Sequence, residues 1–366
     1  MTNKQRIDRF KSEIQGSFDG ALITPGSNLF YLSGMNPRNV MERLFILVVY
    51  PDKKPSLILP KLFEDEIEKA RIDLEGIHLW GDTDDPYELL SELLDDLESD
   101  HGKLLIEDSM PADTLMNIKD DIEKYDWISL DSMTSDLRKI KNNEEIKFMK
   151  KAAEIADKSY SDILEEDVKG MTEKELASLI DYLLKKNGAE ETSFKTIVAS
   201  GPNSANPHHT PTERKIIEGD LLIMDFGAKY EGYCSDITRT IAIGDISDNA
   251  EEIYNIVKKA LYQAKKISNK GIEARKIDKT ARDVIKNKGY GKYFKHRVGH
   301  GIGLDAHEEP YLTEDNEEKV NRGMTFTIEP GIYLKGEFGV RIEDDMWAKK
   351  RTSESLTKSG RDIVKL

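Results

Sequence analysis

Acidic side chains at the ends of strongly apolar runs constrain this chain more than anything else in it. Asp225 follows Leu221-Leu222-Ile223-Met224, and Glu329 follows Phe326-Thr327-Ile328. Such runs belong in a buried sheet, and carboxylates at their ends need partners there. A lone aspartate at a strand end is more often a solvated residue, but two acidic hairpins of this kind are harder to dismiss. Asp225 and Asp236 are symmetric about Tyr230-Glu231, and Glu329 and Glu343 are symmetric about Gly336. A hairpin turning on each centre sets the acids of each pair opposite one another, with Cβ atoms ~4.5–5.5 Å apart. Like charges that close are destabilising unless cations lie between them, so the two pairs ask for metal.

His300, in Gly299-His300-Gly301-Ile302-Gly303, adds a nitrogen to the four carboxylates. The His296/His300 spacing matches one face of a zinc-binding helix, but the surrounding glycines argue for a strand, and the glutamate of an H-E-x-x-H site is missing. His296 therefore reads first as structural. A set so rich in oxygen favours two divalent ions, Mn²⁺ or Co²⁺ before Zn²⁺ or Fe²⁺, with copper disfavoured. His208 and His307 are the remaining histidines suited to proton exchange near neutral pH, while His78 and His101 read as surface. Asp225-Phe226-Gly227 spells a kinase motif without the accompanying nucleotide loop, and Cys234 reads as a small buried thiol.

The order of elements says how such a site is built. Helices over Asn143 to Glu165 and from a Thr172/Glu175 capping box to Gly188 precede the strand Thr196 to Ala199 and the aspartate hairpin. Helices over Asp248 to Ser268 and Ile272 to Lys288 precede the His300 strand and the glutamate hairpin. Helix, helix, strand, acidic hairpin thus occurs twice, a duplication that would bring both acid pairs to one cavity. The first third is different. Strands are expected at Ala21 to Thr24, Asn28 to Leu32, Leu44 to Tyr50, Ser56 to Leu59, Leu104 to Ile106 and Trp127 to Leu130. Helices are expected at Leu62 to Ala70, Pro86 to Leu97 and Pro111 to Lys124. The expected class is α+β, with a small α/β domain over residues 1–132 and a larger catalytic domain over 133–366.

A formal charge of −15 over 366 residues disfavours nucleic acid and anionic membranes as partners. No apolar run reaches the ~18 residues of a membrane span, and the first residues lack the run of a signal peptide. Cys234 is the only cysteine, which excludes an intrachain disulfide and suits a cytoplasmic, reducing home.

The ordered set Asp225, Asp236, His300, Glu329 and Glu343 resembles the ligands of the metallopeptidase family that includes methionine aminopeptidase, aminopeptidase P and prolidase. The resemblance extends from about Arg138 onward and implies a pita-bread fold. Asn206-Pro207-His208 and His300 to Glu308 look like its Xaa-Pro branch, except that Ala306 stands where valine or isoleucine is usual. The resemblance implies that Asp236 and Glu343 bridge two metals, Asp225 binds one, and His300 with Glu329 binds the other. Glu329 would also take the proton of the attacking water, His208 would position the scissile amide, and His307 would stabilise the oxyanion. Arg341 and Tyr333 match positions that support ligands and substrate. The implied activity is that of an Xaa-Pro dipeptidase acting on short proline-containing peptides, in a homodimer. An aminopeptidase P acting on longer peptides is the alternative, and a non-catalytic binding module or a creatinase-like hydrolase stands further off. The stretch Asn28 to Arg43, with Tyr31, Asn36, Arg38 and Arg43, reads equally as a segment at the pocket mouth or as a plain surface loop.

Overall fold

A computed structural model describes residues 1–37, 40, 43–95, 97 and 102–366, so Arg38 and His101 lie outside the described residues. The chain divides into two compact units, Met1–Arg138 and Lys139–Leu366.

The first unit is built on a six-stranded mixed sheet in the order Gly76–Trp80, Ser56–Pro60, Ile46–Val49, Gly20–Ile23, Gly102–Ile106, Tyr125–Ser129. The strands Ser56–Pro60, Ile46–Val49 and Gly20–Ile23 are buried at every position, which is why they read as continuous apolar runs and not as alternating ones. Leu22, Val48, Ile58 and Leu104 meet Leu90 and Leu94 of the helix Pro86–Asp95 in one core.

One strand expected in this unit needs correction. Asn28 to Leu32 is not a strand but part of the helix Ser27–Ser33, which buries Leu29 and Leu32 and ends at Gly34 in the left-handed region (φ 86°). A run of four apolar residues, Leu29 to Leu32, has no decisive period, and the glycine cap settles it as helix. The edge strand Gly76–Trp80 and the opening helix Asn3–Ile14 were not anticipated. The helix carries a readable signal: a Thr2/Gln5 capping box, then Ile7, Phe10 and Ile14 on the buried face. Tyr31 is committed within this unit, donating its hydroxyl to Leu137 O at 3.0 Å under the Arg6 guanidinium.

The second unit repeats helix, helix, strand, hairpin. Asn143–Ile163, Glu173–Lys186 and Ile197–Ser200 lead to the hairpin of Leu221–Phe226 and Ile237–Ala242. Asp248–Ile267, Ala274–Asn287 and Gly299–Gly301 lead to the hairpin that begins with Thr325–Ile328 and ends with Asp344–Ala348. Each half has its own apolar core: Leu176, Leu183, Leu222 and Met224 belong to one, and Ile253, Ile277, Phe326 and Ile328 to the other.

The two hairpins differ in register. In the second, Gly331 pairs with Arg341 and Ile328 with Asp344, so both sides of the break between the two ladders keep the symmetry about Gly336 (φ 81°). Glu329 and Glu343 fall in that break, where the backbone turns to other strands: Glu329 N donates to Val298 O and Glu343 N to Thr238 O. The first hairpin departs from expectation. Glu231 (φ 48°) and Gly232 (φ 77°) occupy the turn, which moves its centre one residue on from Tyr230-Glu231. Asp225 consequently pairs with Thr238, not with Asp236. A two-residue offset keeps both aspartates on one face as diagonal neighbours, so the correction preserves their convergence.

Candidate metal centre

Strand ends of the second unit deliver the acids and His300 to a cavity of about 650 Å³. Asp225, Asp236, His300, Glu329 and Glu343 all line it, as do His208, His307, Arg341 and His296. Ligand atoms of Asp236, His300 and Glu343 lie within 4.8 Å of one another. His300 Nε2 is 3.4 Å from Glu329 Oε1 and 3.8 Å from Asp236 Oδ2.

The protonation pattern around His300 is informative. Its Nδ1 lies 3.0 Å from Gly301 O, a contact that holds the ring proton on Nδ1 and leaves a lone pair on Nε2. Burial, with the neighbouring His307 ring at 4.0 Å, keeps the imidazole well below its ordinary pKa and therefore neutral. A lone pair thus faces carboxylate oxygens. Burial and the charge of Glu343 push Asp236 well above the usual carboxylate range. Burial and Glu329 do the same to Glu343. Burial lifts Glu329 to about 7, against the opposing pull of Arg341.

Buried oxygens without partners test whether cations fit this site. Asp225 Oδ1, Asp236 Oδ1 and Glu343 Oε1 have no hydrogen-bond partner among the described residues. Each belongs to the predicted ligand set, and leaving such atoms unpaired costs about 1–3 kcal/mol apiece or more. Divalent cations would satisfy all three and the His300 lone pair together, so the donor set fits them.

Other carboxylate oxygens are already committed to the protein, which orients the free ones. Arg341 Nη2 donates to Asp225 Oδ2 at 2.6 Å, and Thr238 Oγ1 donates to Glu343 Oε2 at 2.6 Å. Arg341 Nε reaches the same Thr238 hydroxyl at 3.1 Å, so one guanidinium braces both acids. Arg341 Nη1 also donates to the Tyr333 hydroxyl, which lies 2.9 Å from His296 Nε2. Burial, then Arg341, pushes His296 down to about 3, and its Nδ1 lies 2.7 Å from Arg297 O. Tyr333 therefore donates to a neutral His296, and the chain Arg341, Tyr333, His296 ends on a backbone carbonyl. His296 has a structural tie, as expected, and it also lines the cavity. Cys234 is buried and its thiol is pushed up to about 12 by burial.

Several contributors carry no spacing signal. Thr238 is one, Arg297 at the cavity wall is another, and Asp345, whose Oδ2 accepts from Asp236 N at 2.9 Å, is a third. Only Asp345 leaves a trace in sequence, as the last of three acids between Ile342 and Met346 on a buried strand. Ala306 lies on the cavity wall, where its small side chain affects pocket shape.

Comparison with known proteins places this geometry. Residues 147–350 match Metallopeptidase family M24, and residues 6–140 match the Creatinase/Prolidase N-terminal domain. The chain is 37% identical over 362 residues to the Xaa-Pro dipeptidase of Pyrococcus furiosus, covering 99% of this chain and 100% of the relative. It is 38% identical over 351 residues to the Xaa-Pro dipeptidase of Pyrococcus horikoshii, covering 96% and 95%. Among solved structures it resembles a recombinant prolidase from Thermococcus sibiricus, with TM-score 0.97 and 44% identity over 100% of both chains. An X-Pro aminopeptidase from Thermotoga maritima resembles it with TM-score 0.84 and 32% identity over 97% of this chain and 99% of that one.

Proposed function

Because this chain belongs to metallopeptidase family M24, we propose that its cavity hydrolyses the bond between an N-terminal residue and proline in Xaa-Pro dipeptides. The chain is a metallopeptidase that uses divalent metal, with Asp236, His300 and Glu343 as a candidate site. One observation carries the chemistry: the three acids with buried, unpartnered oxygens line one cavity with His300, whose Nε2 is left unprotonated. Full-length similarity to two Xaa-Pro dipeptidases supports the dipeptide substrate over longer peptides.

In this reading Asp236 and Glu343 would hold two ions jointly, Asp225 would hold one of them, and His300 with Glu329 the other. Mn²⁺ or Co²⁺ suits the oxygen-rich donors best, with Zn²⁺ or Fe²⁺ compatible. Bound there, the ions would supply a nucleophile at neutral pH and polarise the scissile carbonyl. Glu329 takes the proton of the attacking water on a carboxylate oxygen and passes it to the departing proline nitrogen. His208, on the cavity wall, orients the scissile amide, whose proline nitrogen carries no N–H to donate. His307, beside His300, donates to the oxygen that gains charge. Arg341 and Tyr333 hold the acids and His296 in register while substrate binds.

Residues 133–366 carry this apparatus, and residues 1–132 form an accessory domain. A homodimer and a cytoplasmic home complete the reading, on the family resemblance and the lone cysteine. The decisive test compares release of proline from Ala-Pro with cleavage of Ala-Pro-Ala under saturating Mn²⁺ or Co²⁺. Faster turnover of the dipeptide is expected; preference for the tripeptide would replace this reading with an aminopeptidase.

A further inference from the structure

A second buried carboxylate centre lies in the same unit, outside the metal ligands. Glu173, the first residue of the helix Glu173–Lys186, is fully buried. Its Oε1 accepts from Ser200 N at 2.8 Å, Ser200 Oγ at 2.8 Å and Asn203 Nδ2 at 3.0 Å. Its Oε2 accepts from Thr212 N at 3.0 Å and Thr212 Oγ1 at 2.7 Å, and lies 2.8 Å from His209 Nε2. Burial alone would raise this carboxyl, but the bonds from Thr212, His209, Ser200 and Asn203 outweigh it and hold the group at about 2. It is therefore an anion, so His209 must present Nε2–H to it. The N-terminus of the helix adds favourable field.

All these donors lie between Ser200, which ends the strand Ile197–Ser200, and Thr212, and the segment they span carries His208. Pro207 and His208 line the cavity, while the next residue, His209, turns the other way to Glu173. The opposite side of the segment is tied to the hairpin that bears the metal ligands. Arg341 Nη1 donates to Pro207 O at 3.2 Å, and Gly339 N donates to Ser204 Oγ at 2.7 Å. The stretch that follows Ser200 is thus clamped between a buried anion and the guanidinium that braces Asp225.

We propose that Glu173 is a positioning residue that sets His208 in the cavity by anchoring both ends of residues 200–212 and turning His209 away. The inference rests on the proposed role of His208 in orienting the scissile amide. Geometry of this kind controls rate steeply, since misplacement by about 1 Å can cost on the order of 100-fold. Substituting Glu173→Gln keeps size but replaces one acceptor with an amide N–H that faces donors already present.

A double-mutant cycle reads the coupling. Glu173→Gln is expected to lower kcat on Ala-Pro roughly 10- to 100-fold with little change in KM and with metal content retained. In a His208→Ala background the same substitution is expected to change kcat less than about threefold, because the residue it positions is gone. An equal loss in both backgrounds, or a loss that follows the bound metal, overturns the proposal. Should Glu173→Gln not fold, His209→Ala removes one tie and leaves the other donors, and the same cycle applies to it. Histidine-¹⁵N spectra keep this separate from the proposed function. Glu173→Gln should move the ring signals of His208 as well as those of His209, whether or not the protein cleaves Xaa-Pro. Movement of His209 alone overturns the positioning role.

Discussion

Arg341 Nη2 lies 2.6 Å from Asp225 Oδ2, an ion pair in which both side chains are nearly shut off from water. The same guanidinium touches Tyr333, Thr238 and Pro207 O, so it joins a ligand, a ligand's brace and the His208 segment. Removing one partner of such a pair leaves an uncompensated buried charge, at about 3–5 kcal/mol. Arg341→Ala is expected to lower the unfolding free energy by that order and to cut kcat/KM at least about 100-fold. Denaturant titration and steady-state kinetics check it, and wild-type values in both would remove Arg341 from the supporting role. Arg341→Lys should recover little, because a point charge cannot brace Asp225 and Thr238 together.

The shared acids carry the strongest test of the metal assignment. Asp236→Ala or Glu343→Ala should abolish turnover and reduce the bound metal, measured by elemental analysis of purified protein. Full activity in either variant is incompatible with two ions held in common by these residues.

Metal-free protein should lose stability as pH rises through about 7. Glu329 moves from an ordinary 4.5 to about 7 in the fold, and Asp236 and Glu343 are displaced in the same direction. At these acids the folded protein binds more protons than the unfolded protein above about 4.5, so their contribution is complete below about 4.5 and that of Glu329 is lost as pH passes about 7. His296 and His300, held below the ordinary 6.5, act in the opposite sense at lower pH, so thermal unfolding of chelator-treated protein should show Tm falling as pH passes about 7. Saturating Mn²⁺ should abolish or reverse the slope, since the ions bind ionised carboxylates. A slope unaffected by metal would contradict the ligand set.

Glycines around His300 make a prediction about architecture. A Cβ on Gly301 would stand 2.2 Å from Glu309 O, and one on Gly299 would stand 2.0 Å from Thr327 O. These glycines admit the neighbouring strands. Gly301→Ala should force the strands apart, displace His300 and lower metal affinity, as calorimetric titration with Mn²⁺ would show. Unchanged affinity would mean that the strand tolerates the intrusion.

Much of the site was readable because its chemistry repeats with simple spacing. Four acids at the ends of apolar runs and a histidine among glycines stand out in a linear chain, and element order exposes the duplication. Register was readable only where the turn obeyed it. Gly336 kept the second hairpin symmetric, whereas positive φ at both Glu231 and Gly232 moved the first by two residues across the ladder. In the first unit, Asn28 to Leu32 was a short run whose periodicity could not separate strand from helix.

Composition, patterning and motif order alone determine the α+β class, the twofold recurrence and the identities of the acids, because these depend on residue type and local period. Tertiary structure decides which oxygens are left free. Arg341 and Thr238 each occupy one oxygen of a ligand, and Gly301 O takes the His300 ring proton. Glu173 gathers Ser200 at a strand end and Asn203, His209 and Thr212 from the stretch after it, which has no period to read. All but the His300–Gly301 contact join residues far apart in the chain, and hydrogen bonds depend on distance in space, which spacing along a chain does not encode.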